Sequence, residues 1–455
     1  MRPFFAIALV GMIILALVTD GIYDTGDGIL HYQIARWSWH HPELFLHHWG
    51  KPFYTLLSSP FAQAGYKGTV IFNILCHVSA AWLTWRIADR MKLPNAFLVG
   101  PLVIFAPISW GVSQSGLTEP LFALTLIAGI YFVTAGRYTI AAIVISILPF
   151  VRTEGFFIAP LFGAFFLLRK EYLAICLLAS GTLFYSIAGA VFINSDFLWI
   201  LHQNPYRGQE LYGSGPLLHF VNNNEQIFGW AISASVALGV CSFFFRNKLT
   251  PRHSITEIIL VLGCFVVFFV AHSVFWWKGI VGSLGLVRVM TCIIPCAALV
   301  ALRGIQLLTR PYENYRIAVA ITLAFALGST MYNTFRQHGL LIQPSAAQLS
   351  IQEVVAEIQQ KNLSSRKIYY GYPLVTHFLD KDPFDNTQCA EMWGFRTDPY
   401  LQKSAIVIWD SHFGPGQYDI TQEQLEGMPN VEVLFRVGKK EDSSANLVWI
   451  VGEVK

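Results

Sequence analysis

Asp24 and Asp27 stand three residues apart in Y-D-T-G-D-G-I-L-H-Y, just after an apolar run from Phe4 to Val18. Gly26 and Gly28 let the backbone turn tightly there, so the pair reads as carboxylates held at a membrane surface. A carboxylate beside lipid is costly unless it is solvated, paired or used. One such group can take the proton from an attacking hydroxyl while another group steadies a departing phosphate. The same residues also suit an Asp-Gly turn that closes a helix. Further on, H-H-W-G-K-P-F-Y sets Lys51 before a stiff Pro52 and beside aromatic side chains. An ammonium fixed in that way can bind a phosphate leaving group, or it can be an interfacial lysine in an aromatic belt. From Asp20 to Lys67 the chain gathers Asp20, Asp24, Asp27, Glu43, five histidines and Lys51.

The elements that must carry these groups are membrane helices. Of 455 residues, 54% are hydrophobic and 13% charged, about half the charge of an ordinary soluble domain. Continuous apolar runs exclude an outer-membrane barrel, whose strands alternate. The net charge of +3 leaves no footprint for nucleic acid. Eleven candidate spans are Phe4–Val18, Val70–Ile87, Ala96–Trp110, Leu117–Val133, Tyr138–Val151, Phe156–Leu168, Tyr172–Ile193, Ile227–Phe245, Ile255–Trp277, Leu286–Leu302 and Ile317–Met331. Several are short or carry Pro94, Pro107 or Pro149 near an end, so one could be re-entrant.

Cytoplasmic loops retain Lys and Arg. With the N-terminus inside, every inner turn is positive: Arg2, then Arg86, Arg90 and Lys92, Arg137, Arg169 and Lys170, Arg246, Lys248 and Arg252, and Arg303, Arg310 and Arg316. That assignment puts residues 20–67 and 194–226 outside, and the C-terminal segment with them. The expected division is a transmembrane part over residues 1–342 and a small extracytoplasmic α/β domain over 343–455. The latter has a helical LSIQEVVAEIQQ and strand-like KIYYGY, SAIVIWD, VEVLFRV and LVWIVGEV. Six of the seven cysteines fall in apolar runs, leaving Cys389 alone outside them. No disulfide framework and no metal signature follow from that pattern, and no cofactor is expected.

Other ionisable and polar residues are weaker candidates. Glu119 in S-Q-S-G-L-T-E-P is a second acid at membrane depth, or the acidic start of a helix. Arg152 and Glu154 read as a pair at a helix start, and His272 as a core histidine. Arg288, just inside an apolar run, calls for an anion such as a phosphate. His31, Tyr32, His48, Tyr206 and Arg207 are candidate contacts for substrate.

The order of these features resembles the integral-membrane glycosyltransferases of the GT-C superfamily. It is most similar to the branch holding protein O-mannosyltransferases and the lipid A aminoarabinose transferase. The residues that carry the resemblance are Asp27, Tyr32, Ala35, Arg36, Gly50, Lys51, Pro52 and Gly65, with Thr118-Glu119-Pro120, Arg152-Thr153-Glu154-Gly155, and Gly282-Ser283-Leu284-Gly285-Leu286 with Arg288. It extends over roughly the first 330 residues by topology, on short motifs of moderate specificity. The resemblance implies a polyprenyl-phosphate-linked sugar donor, an outward-facing carboxylate base and inversion at the sugar carbon. Asp27 matches the base and Lys51 the phosphate-facing lysine. The branch usually carries Asp-Glu at the first motif, whereas Gly28 follows Asp27 here, which leaves open whether Asp24 supplies the second carboxylate. The acceptor would be a lipid, glycan or protein, the sugar one such as mannose, and the setting a bacterial inner membrane. A transporter or flippase of lipid-linked sugars is the alternative. It should concentrate charge at the bilayer midplane and show paired halves with broken helices, and neither is evident here.

Overall fold

A computed structural model describes all residues except 195, 204–212, 245–252, 313, 398–402 and 439–447. Each of the eleven apolar runs is mostly helical over its described residues. Five helices are long and apolar enough to cross a membrane: Tyr66–Arg90, Tyr172–Ile193, Glu257–Lys278, Val287–Tyr312 and Arg316–His338. The pair Ala96–Ile104 and Pro107–Ser113, bent by 56°, makes a sixth if it is one span. The bend has a local cause. Pro107 opens the second helix and holds Ala106 extended (ψ 127°), which breaks the ladder at that point. Five shorter apolar helices, Arg2–Val18, Glu119–Thr134, Tyr138–Phe150, Gly155–Arg169 and Gly229–Phe244, account for the remaining runs.

Burial sorts these helices into layers. Val287–Tyr312 lies in the centre, with most of its residues buried against neighbouring helices. Tyr172–Ile193 and Arg316–His338 lie at the periphery and expose Phe184, Phe192, Ile317 and Phe325. Helices whose backbone bonds are all internal can present such apolar faces to lipid. Five such helices, or six with the bent pair, in a fold of this kind mark an integral membrane protein.

The segment from Asp20 to Lys67, read from the sequence as a polar loop, is mostly helical. After α1 (Arg2–Val18) come α2 (Asp27–Trp37), a 3-10 turn at Pro42–Leu46, α3 (Pro52–Ala62) and then α4 (Tyr66–Arg90). Histidines and glycines hid the periodicity of α2 and α3, whose lengths of 11 residues each are too short for an apolar stripe to stand out. Prolines at Pro42 and Pro52 start the 3-10 turn and α3, where a missing N–H does no harm.

Beyond Leu341 the chain forms a helix, Ala346–Gln360, capped by the Ser345 side chain, and then a five-stranded sheet. The strands are β1 (Ile368–Tyr370), β2 (Cys389–Glu391), β3 (Ile406–Asp410), β4 (Val431–Val437) and β5 (Trp449–Val454), in the order β2-β1-β3-β5-β4. β1 pairs in parallel with both β2 and β3, while β5 runs antiparallel to β3 and β4. The four strand-like stretches of the sequence became strands, and β2 is the addition. Its three residues are too few to show alternation.

Candidate active site

Asp27 is the first residue of α2, and Asp24 lies one turn before it. The Asp24 carboxylate accepts from the Gly28 N–H at 2.6 Å, so it closes the otherwise open N-terminus of α2. Arg288, from the start of the central helix, donates one terminal nitrogen to Asp24 and the other to Asp27. The guanidinium therefore bridges the two carboxylates. Asp24 is the more enclosed of the pair, with 18% of its side chain exposed against 44% for Asp27. Burial raises the pKa of Asp24; Arg288 opposes that and the nearby Asp27 adds to it.

Gly28 fits this geometry sterically. A Cβ there would sit 3.2 Å from the Asp24 Cβ and 3.4 Å from the Gly116 N. Gly116 is tighter still, because a Cβ on it would collide with the Gly28 carbonyl. The turn holding Gly116 is itself pinned: Tyr54 donates to its carbonyl at 2.7 Å, and Asn73 donates to the carbonyls of Ser115 (2.6 Å) and Leu117 (2.7 Å). α2, α3, α4 and the Gly116 turn thus interlock, and Glu119 follows from that turn. Glu119 is fully buried, 2.8 Å from Arg152 and 3.8 Å from the Arg288 Nε. Arg152 also donates to Glu154 (2.7 Å) and to Thr118 (3.1 Å). Burial would raise the Glu154 carboxyl, but the Arg152 guanidinium outweighs it and holds the pKa at about 2.

These groups surround a cavity of about 440 Å³. Its walls include Asp27, His31, His48, Trp49, Lys51, Arg152, Glu154, His272 and Arg288, with an apolar side formed by Phe156, Phe157, Phe275, Leu284 and Leu286. Lys51 is 5% exposed and sits at φ 64°, ψ 94°, directly before Pro52. A β-carbon residue is strained at positive φ, and such strain is typical of groups held for a task. Burial lowers the Lys51 ammonium to about 7, despite the carboxylates of Glu154, Asp27 and Glu119. His31 lies one turn along α2 from Asp27 and stacks on Trp49 at 4.5 Å. Burial, reinforced by Lys51, keeps the His31 imidazole neutral. His48 is pushed down to about 4 in the same way and meets the Gln203 carbonyl at 3.2 Å.

Of the residues singled out in the sequence, Asp27, His31, His48, Lys51 and Arg288 line one cavity, with Asp24 and Glu119 directly behind it. Tyr32 does not line it. Its ring packs edge-on against Tyr66 and His377, and its hydroxyl accepts from Arg36 at 3.0 Å. Arg288, read in the sequence as a cation calling for an anion such as a phosphate, lines the cavity while the two aspartates hold its guanidinium. Tyr206 and Arg207 lie outside the described residues. Three cavity residues went unrecognised: Arg152 and Glu154 pair as expected, yet their pair faces the cavity, and His272 stands 3.7 Å from Glu154. Their cost at membrane depth was the available signal.

Solved structures share this polytopic fold over nearly the whole chain. The crystal structure of ArnT from Cupriavidus metallidurans bound to undecaprenyl phosphate superposes with a TM-score of 0.67 at 11% identity, covering 99% of this chain and 97% of that one. The apo ArnT structure from the same organism gives 0.63 at 13% identity with the same coverage. The fold is therefore that of ArnT, as the sequence resemblance implied. No protein-family model matches the sequence, and no curated protein matches it significantly.

Proposed function

We propose that the protein is a glycosyltransferase that moves a sugar from a polyprenyl-phosphate donor to a hydroxyl acceptor, with inversion. One observation carries this reading: Asp27 and Lys51 face a single cavity, in a fold shared with a protein solved with undecaprenyl phosphate bound. Asp27 is the base. Arg288 donates to its carboxylate and fixes its direction, and its exposure lets an acceptor hydroxyl reach it. The acceptor oxygen attacks the anomeric carbon as the bond from that carbon to the phosphate oxygen breaks. The proton passes to Asp27, and the electron pair leaves with polyprenyl phosphate. Lys51 meets the charge growing on that phosphate, and Asp24 holds Arg288 and the α2 terminus in register. His31, Trp49 and His48 offer neutral polar and flat surfaces for the sugar.

The same reading has eleven spans, a cytoplasmic N-terminus, and both the cavity and the segment 343–455 on the outer side. The positive inner turns support it. A bacterial inner membrane, a hexose such as mannose, and a lipid, glycan or protein acceptor complete the proposal. The test is reconstitution with labelled polyprenyl-phosphate sugars. Asp27→Asn should lower turnover at least a hundredfold while polyprenyl phosphate still binds. Full transfer by both Asp27→Asn and Asp24→Asn would remove the assignment of the base. If no donor is consumed while labelled lipid crosses the bilayer, transport replaces transfer.

A further inference from the structure

The described chain beyond Val289 contributes nothing to the cavity wall. The chain from Gln348 onward nevertheless grips the segment that carries Asp24 and Asp27. The Gln348 amide donates to the Asp20 carbonyl (2.7 Å) and accepts from the Ile22 N–H (2.9 Å). The Gln33 amide donates to the Pro373 carbonyl (3.1 Å) and to Thr376 (2.6 Å). Between these two clamps lies the contact nearest the aspartates, a 2.6 Å hydrogen bond between the hydroxyls of Tyr372 and Thr25.

The place of Tyr372 in the sheet gives this contact its meaning. The chain leaves β1 for β2 on one side and returns to β3 on the other, so the crevice beyond the carboxyl ends of β1 and β3 is a topological switch point. Open α/β sheets bind their ligands in that crevice. Here Tyr372 follows β1 at that edge, with its ring against Phe413 (5.0 Å) and Trp449 (5.8 Å), and its hydroxyl reaches the first outer segment of the same chain. Thr25 is flanked by Asp24 and by Gly26, the residue that caps α2. A fixed Thr25 therefore fixes the turn from which both carboxylates project.

We propose that Tyr372 is a positioning residue: through Thr25 it sets the angle at which the turn presents Asp24 and Asp27 to the cavity. The sheet then acts on the site by holding the turn, without touching substrate. Displacements of about 1 Å at reacting groups cost up to a hundredfold in rate, and the loss of one hydrogen bond of this kind corresponds to about five- to tenfold.

Only the turnover arm of the test rests on the sugar-transfer reading. The full-length protein is purified as wild type, Tyr372→Phe, Thr25→Val, the double variant and Thr25→Ser. Phenylalanine keeps the packing on Phe413 and Trp449 and removes only the hydroxyl. Hydrogen exchange over residues 20–33 should rise about fivefold in Tyr372→Phe and Thr25→Val, at an unchanged melting temperature. With labelled polyprenyl-phosphate sugar, kcat should fall about tenfold at unchanged donor KM. The double variant should be no worse than either single one, and Thr25→Ser should restore both readings. Wild-type exchange in Tyr372→Phe, a loss confined to the melting temperature, or faster exchange with an unchanged kcat would each overturn the assignment. If the wild type turns over no donor, sugar transfer fails, and the exchange arm alone decides whether Tyr372 holds the turn.

Discussion

Lys51 is the residue whose protonation the proposed reaction depends on most. Burial leaves it near pH 7, against an ordinary value of 10.5. Between those two values the unfolded chain binds more protons than the folded one, so Lys51 makes stability rise with pH in that window. Phosphate binding works in the opposite direction, because it favours the protonated ammonium. Affinity for polyprenyl phosphate should therefore fall as pH climbs above 7, by up to about tenfold per unit. Lys51→Arg should flatten that limb, and calorimetry in buffers of different ionisation enthalpy should show proton uptake on binding by the wild type. A lysine and two arginines at the cavity can meet phosphate charge without a divalent ion. Turnover should accordingly survive chelation, as a radiolabel assay with and without EDTA would show. The sequence exposed Asp27 and Lys51 because acids and bases beside apolar runs stand out. It hid the bridging by Arg288, since a contact spanning 261 residues to Asp27 leaves no local trace.

At the scale of elements, the closest fit is between α2 and the Gly116 turn. A β-carbon at Gly116 meets the Gly28 carbonyl, which is backbone and cannot swing aside. Gly116→Ala should destabilise the protein by about 1–3 kcal/mol, seen as a lower melting temperature in detergent. It should also lower turnover by moving Asp27. The apolar helices were legible because their signal is compositional and needs no partner. α2 and α3 were not, since what stabilises them is contact with distant chain: Tyr54 of α3 on the Gly116 turn, and Gln33 of α2 on the segment beyond Leu341. β1, β3, β4 and β5 showed through their β-branched and aromatic runs, whereas the parallel order β2-β1-β3 depends on crossovers that no local pattern encodes.

For the whole molecule, sidedness is the prediction that everything else needs. Trp39 is 60% exposed in the segment 20–67, which the proposal puts outside, so Trp39→Cys should react with a membrane-impermeant maleimide from the outer side alone. Labelling only from the cytoplasmic side would leave a lipid-borne sugar on the outer leaflet out of reach. The fold carries one further consequence, in time. Thr19 donates to the Ile342 carbonyl, and Gln348 holds Asp20 and Ile22, contacts that join residues more than 320 positions apart. A ribosome adding about 5–20 residues per second needs roughly 15–65 s to supply the second partner. During that interval the nascent aspartates have already emerged but lack their brace. Newly made copies should thus stay idle until translation ends, and a chain cut short before Gln348 should insert in the bilayer yet never mature.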